Sequence, residues 1–347
     1  MNPKQQGYFM PPEWSEHERT FISWPIQESM VYPEDYHEVS KGYIELVEAI
    51  SEFEKVTVIV NENHIKEVKS KFANIEGNIE FLSIEHNDAW LRDNGPTFLL
   101  HDNGERAGVN WKFNAWGEKY APWDLDDEVA PKILDHLGIK RFDAPLVMEG
   151  GSFHVDGEGT LLTTEECLLN PNRNPELTKE QIEQFLKDYL NIEKVIWLKD
   201  GLSGDETDGH VDNIACFGSP GKIIMQVCHD KEDENYEITQ ENLSILTRET
   251  DARGRKFEVI QIEQPPKEMF KGNRLTLSYL NFYFVNDGVI LPVFGGAAQK
   301  NDQLAESELK KTFPERRIRK INGMSIIKEG GNVHCTTQQL PTAIKVK

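Results

Sequence analysis

The sequence predicts a single α/β domain, spanning residues 1–347, built from repeated strand–helix–strand units. Three observations carry that reading. Short β runs alternate with amphipathic helical stretches along the whole chain. No Ser/Gly-rich linker or break in composition divides it. One phrase is used twice: Glu149-Gly150-Gly151-Ser152-Phe153-His154 returns as Glu329-Gly330-Gly331-Asn332-Val333-His334, with four of six residue types matching. A repeated phrase suggests one supersecondary unit reused around a shared centre. The second copy is followed by Cys335 where the first has Val155, which places a nucleophile on one of two related positions.

The elements follow in order. Residues 56–60 (VTVIV) read as a buried strand, 65–72 as a helix, and 79–84 and 97–100 as strands. Thr178-Lys179-Glu180-Gln181 has the form of a capping box, opening a helix that runs to about Leu190. Residues 195–198, 211–217 and 222–227 read as strands, as do 281–286, 288–293 and 332–337, with a helix over 303–312. Ser219-Pro220-Gly221 and Asn286-Asp287-Gly288 are turn signals between strands. No Gly-x-Gly-x-x-Gly follows a strand, which argues against a dinucleotide-binding fold.

Composition excludes several partners. Asp and Glu number 59 against 38 Lys and Arg, a net charge of −21. Nucleic acid and anionic membranes attract positive surfaces, so neither is an expected partner. A cationic small molecule suits this field, although such charge also serves solubility alone. No apolar run reaches the roughly 18 residues of a membrane span. Met1–Trp14 lacks the apolar segment of a secretory signal, so a cytoplasmic location is expected. Cys167, Cys216, Cys228 and Cys335 have no metal-type spacing and read first as reduced, buried thiols.

Polar clusters mark the candidate chemistry. In His210-Val211-Asp212, a strand would turn both side chains to one face, pairing a general acid or base with a carboxylate. A metal would need further ligands nearby, and none is apparent. Cys335 follows Gly330-Gly331, which allows close backbone approach, and has Asn332 and His334 beside it. Asp93, in Trp90-Leu91-Arg92-Asp93-Asn94-Gly95-Pro96, reads either as a turn carboxylate or as a partner for a planar cation such as guanidinium.

Together these blocks resemble the agmatine deiminases of the guanidino-group-modifying superfamily. The likeness runs almost the whole chain. It begins at Met10-Pro11-Pro12-Glu13-Trp14 and continues through Asp88–Thr97, Phe113-Asn114-Ala115-Trp116-Gly117, Met148–Thr160, Glu165–Asn170, Gly209–Asn213 and Gly331–Gln339. The resemblance implies a five-bladed α/β-propeller of ββαβ-type units with pseudo-fivefold symmetry. It implies hydrolysis of agmatine to N-carbamoylputrescine and ammonia, with no metal and no organic cofactor. It assigns Cys335 as nucleophile, Asp93 and Asp212 as guanidinium partners, His210 as acid and base, and Glu149 as the residue that orients His210. Glu206, four residues before His210, becomes the candidate for the substrate amine, with Asp205 and Asp208 beside it. Trp90 and Trp116 would line the methylene chain, and Gly331 and Asn332 the thiol. Departures near 118–124, before Arg274 and around 294–301 bear on specificity. Deimination of another guanidine, such as a peptide-terminal arginine, stays open, as do an inactive polyamine-binding relative and assembly into a homo-oligomer.

Overall fold

The computed structural model describes residues 1–343. Five sheets of three or four strands share one pattern, and a small hairpin completes the β structure described. In each sheet an antiparallel pair is followed by a helix and then a strand parallel to the second member of the pair. One sheet pairs Thr97–His101 with Arg106–Lys112, passes through the helix Val129–Leu137, and adds Lys140–Val147. A second uses Phe153–Val155, Thr160–Thr164, the helix Lys179–Leu190, and Lys194–Leu198. The third runs Ala215–Ser219, Lys222–Val227, Asn235–Arg248, Glu258–Glu263. The fourth runs Tyr283–Val285, Gly288–Val293, Gln299–Thr312, Arg317–Asn322.

The fifth sheet joins the two ends of the chain. Thr337–Pro341 pairs antiparallel with His17–Ser23, which pairs parallel with Lys55–Val60 after the helix Tyr36–Ser51. Ile79–Ser83 extends this sheet. The second strands Thr160–Thr164, Lys222–Val227 and Gly288–Val293 are buried almost throughout, as strands covered on both faces must be, while Arg106–Lys112 and His17–Ser23 keep polar, partly exposed residues. Thr178 makes the full capping box with Gln181, and Asn191 ends that helix in the left-handed region. Among the described residues no helix is long and apolar enough to cross a membrane.

Two expected strands are corrected at their starts. Val211–Asn213 is a single 3-10 turn, and the strand begins only at Ala215. Likewise Val333–Thr336 is one helical turn, and its strand begins at Thr337. Asn332 accounts for the second case, since its side-chain oxygen accepts the Val333 N–H at 3.0 Å and caps the turn. A one-turn helix is too short to leave a periodicity, so β-rich composition alone reads through it.

The repeated phrase is therefore not one structural position used twice. In the first copy a 3-10 turn at Gly150–Ser152 leads into the strand at Phe153, whereas in the second the turn falls later, at Val333–Thr336, and the strand begins only at Thr337. Cys335 sits on that turn, whereas Val155 lies inside a strand, so the two are not equivalents. The structural repeat lies elsewhere. Helical turns at Leu91–Asn94, Gly150–Ser152, Val211–Asn213 and Val333–Thr336 each precede the first strand of a sheet, and each carries or adjoins a candidate site residue.

Candidate active site

These turns converge. Asp93 is buried, and its two oxygens are held by the Gly151 N–H and the Trp116 indole N–H, each at 2.9 Å. Trp116 reaches it from an unusual loop: Ala115, Trp116, Gly117 and Glu118 all have positive φ. Positive φ at non-glycine residues costs about 1–3 kcal/mol each and persists only where the surroundings impose it. Here Asn114 does so, accepting the Gly117 N–H at 2.9 Å and donating to the Asn172 carbonyl at 3.0 Å.

His210 is fully buried between two carboxylates. Nδ1 lies 3.8 Å from Asp93 and Nε2 lies 3.7 Å from Glu149. Neither ring nitrogen has a hydrogen-bond partner, and neither does Glu149 Oε2. Burial opposes charging this imidazole, but the Asp93 carboxylate, with Cys167 and Glu149 behind it, outweighs burial and raises its pKa well above the usual value. Glu149 is fixed by Arg173, whose Nε donates to Oε1 at 2.7 Å. Arg173 in turn pairs with Asp208 at 2.6 Å, and Asp208 with Lys119 at 2.6 Å.

Asp212 stands on the other side. Its Oδ2 accepts from His334 Nδ1 at 2.9 Å and from the Cys335 thiol at 3.4 Å, while Oδ1 is unpartnered. His334 bridges Asp212 to Glu13, which its Nε2 meets at 2.9 Å. Glu13 also faces Arg92 at 3.5 Å and His154 at 3.4 Å. Burial would raise its pKa, but those three groups hold it well below the carboxylate range. The Pro-Pro-Glu-Trp segment thus delivers a charge that a buried histidine pair and arginine must neutralise. Burial also pushes Asp93 up, to about 6, with Asp212 and Glu149 adding to it and His210 opposing. The Cys335 thiol is raised well above its usual value by burial first, then by Asp212 and Asp93.

A cavity opens onto this centre. Cys335, Asp93, Trp90, Trp116 and Gly331 line its inner part, and Glu206 also lines it. A Cβ on Gly331 would lie 2.5 Å from the Trp90 ring, and one on Gly151 would lie 2.6 Å from the His210 ring, so close approach demands glycine at both. Three expected contacts are redirected. Asp205 accepts from Thr207 and Asn213, Asp208 pairs with Arg173 and Lys119, and Asn332 caps its turn and donates to the Gly323 carbonyl. None of the three is among the lining residues, because each already spends its polar atoms on the loops that build the wall.

Several residues were not expected. Asp88, Tyr120 and Glu329 line the cavity with Glu206, and Tyr120 donates to the Glu206 carboxylate. Nothing in the spacing of Arg173 tied it to Glu149. Asn281 donates to the Cys335 sulfur at 3.1 Å and had no sequence signal at all. Cys167, expected as a packing thiol, is buried and brings its sulfur within 4.8 Å of donor atoms of Glu149 and His210. Those three donor types suit a metal ion, but the Arg173 guanidinium on Glu149 puts a fixed cation beside them, which disfavours a second.

A thiol, a histidine and three carboxylates at the base of a cavity, on a repeated α/β scaffold, define a site for nucleophilic attack on a cationic carbon. The chain belongs to the Porphyromonas-type peptidyl-arginine deiminase family, whose family model matches residues 9–341. An agmatine deiminase of Pseudomonas syringae pv. tomato is 41% identical over 370 residues, covering 99% of this chain and 98% of that protein. The structure of the agmatine deiminase of Enterococcus faecalis catalysing its reaction matches with a TM-score of 0.92 at 38% identity, covering 99% of this chain and 98% of that one. A Cys-to-Ser variant of a C. jejuni agmatine deiminase with substrate bound matches with a TM-score of 0.88 at 31% identity, over 98% and 97% of the two chains.

Proposed function

We propose that this protein hydrolyses the guanidinium group of agmatine, giving N-carbamoylputrescine and ammonia through a covalent intermediate on Cys335. The observation that carries the substrate is the cavity lining. It joins Cys335 and Asp93 to Asp88, Glu206 and Glu329, with no Lys or Arg among the described residues that line it. A diamine-like cation carries positive charge at both ends and suits both. The carboxylate of arginine would find no counterion there and would be repelled by Glu206 and Glu329, whereas burial raises the Asp88 carboxyl to about 8 and keeps it mostly protonated near neutrality.

The chemistry follows from the residues. Guanidinium is a poor electrophile because its charge is delocalised. Asp93 and Asp212 fix its nitrogens and aim its carbon at sulfur. In the resting protein these same carboxylates keep Cys335 a neutral thiol that donates to Asp212. Arrival of the cation cancels their field and lets the thiol proton pass to solvent, so the sulfur, now a thiolate, attacks the guanidinium carbon only when substrate is present. His210, held protonated, gives a proton to the departing ammonia and leaves a thiouronium carbon bonded to sulfur. The neutral imidazole then takes one proton from water as it attacks that carbon, and the adduct forms the C=O as the C–S bond breaks, its hydroxyl proton returning the departing sulfur to the Cys335 thiol. Glu149, anchored by Arg173, orients the ring and offsets its charge. Trp90 and Trp116 flank the carbon chain, and Glu206 faces the amine.

The whole chain acts as one catalytic domain, with its five sheets as the blades of a closed propeller. Their common strand order and the meeting of their leading turns at one site support that arrangement. Incubation with agmatine, free arginine and an arginine peptide, with ammonia and product mass recorded, tests the function. Agmatine should be the substrate turned over. Turnover of the peptide alone would transfer the activity to protein arginine.

A further inference from the structure

Four of the five sheets send a leading turn into the site. The remaining sheet, which begins at Tyr283–Val285, sends Asn281, a residue 1% exposed that no motif singles out. Its side chain makes four contacts. Oδ1 accepts the backbone N–H of His334 at 2.9 Å and of Cys335 at 3.4 Å. Nδ2 donates to Asn213 Oδ1 at 3.0 Å and to Cys335 Sγ at 3.1 Å.

These contacts fix which end of the amide meets the sulfur. A backbone N–H can only donate, so the atom facing His334 and Cys335 N–H must be the oxygen. The Asn213 amide is oriented in turn, because its Nδ2 meets the Asp205 carboxylate at 3.4 Å, which leaves Oδ1 toward Asn281. Asp205, Asn213 and Asn281 therefore form a directed chain that ends with an N–H on Sγ.

Such a donor is needed. Asp212 and Asp93 face the sulfur from their turns, and Tyr43 faces it from the helix Tyr36–Ser51. Asp88, Glu206 and Glu329 share its cavity, and the neighbouring imidazole of His334 is turned to Asp212 and Glu13. Negative charge on sulfur thus meets carboxylates on several sides. Burial and those carboxylates raise the thiol, whereas hydrogen bonding from the Asn332 backbone and the Asn281 side chain acts the other way. We propose that the Asn281 amide is a catalytic residue, the preoriented donor that stabilises the Cys335 thiolate as it forms.

This inference rests on Cys335 being the nucleophile, but its test does not need the substrate assignment. Alkylation of Cys335 by neutral iodoacetamide is followed against pH in the ligand-free protein, with Cys335→Ser defining labelling elsewhere. Asn281→Asp, which keeps the acceptors but removes the donor, and Asn281→Ala should raise the pH midpoint by about one unit and slow labelling near neutrality about tenfold. Folded variants with the parent's midpoint and rate would overturn the proposal. Should neither variant fold, unaltered protein labelled with 15N-asparagine gives a second readout. One side-chain amide pair should shift with the same midpoint as alkylation and lose that dependence in Cys335→Ser. No pair following the thiol would overturn it equally.

Discussion

His210 Nε2 lies 3.7 Å from Glu149 Oε2, and neither atom has a hydrogen-bond partner in a fully buried setting. Buried polar atoms without partners are costly. The gap is small enough to close when the imidazole carries a proton, and the other Glu149 oxygen is already held by Arg173. Glu149→Gln should therefore lower kcat by about 10²–10⁴, the range for losing acid–base assistance. Because the carboxylates hold the His210 pKa up, the amide should also move the His210 limb of the pH–rate profile downward. A lower kcat with an unmoved profile would leave Glu149 only a structural role.

Asp212→Asn has effects of opposite sign on two assays. It removes a guanidinium partner, so kcat/KM for agmatine should fall by about 2–5 kcal/mol of transition-state stabilisation. It also removes a carboxylate that raises the Cys335 thiol, so neutral iodoacetamide should label the free protein faster than the parent at neutral pH. Asp93→Asn should show the same pair of changes. Slower labelling in both would contradict substrate-dependent ionisation of the thiol.

The proposed function gives the outer acids the choice of guanidine. Agmatine should be preferred over free arginine at least tenfold in kcat/KM, or roughly 1.4 kcal/mol. Glu206→Gln should narrow that preference by raising KM for agmatine more than it lowers kcat. Equal use of both substrates by the parent would move the amine contact elsewhere.

Asp126 offers a pH test of stability outside the chemistry. Burial raises its carboxyl to about 7 although its oxygen accepts the Asn87 and Asp88 N–H groups. A folded pKa above the unfolded one means the folded state holds an extra proton, so stability falls as pH rises from about 4 and levels off above about 7. Asp126→Asn should match the parent in Tm near pH 4 and exceed it increasingly up to about pH 7. A constant difference across that range would rule out the titration.

Much of this was legible in the sequence because the functional residues sit in dense polar phrases. Asp93, Glu149, His210, Asp212 and Cys335 were all named, and the structure brings them together. The local geometry was not legible. His210 precedes and Asp212 lies on a single 3-10 turn rather than on a strand, so the right neighbours were found through the wrong periodicity. The repeated Glu-Gly-Gly phrase pointed to repetition but not to the repeat that exists, which is a turn before the first strand in four of the five sheets. Asn281 and Arg173 reach Cys335 and Glu149 from 54 and 24 residues away in sequence. Spacing carries no trace of such contacts.

The central claim is covalent hydrolysis of agmatine by Cys335. Ammonia release and product mass, measured with agmatine for the parent and for folded Cys335→Ser side by side, test it most directly. The parent should yield ammonia and N-carbamoylputrescine, and the serine variant none above the enzyme-free blank, because a hydroxyl in this acidic setting will not ionise. Release by the serine variant within tenfold of the parent would contradict the account.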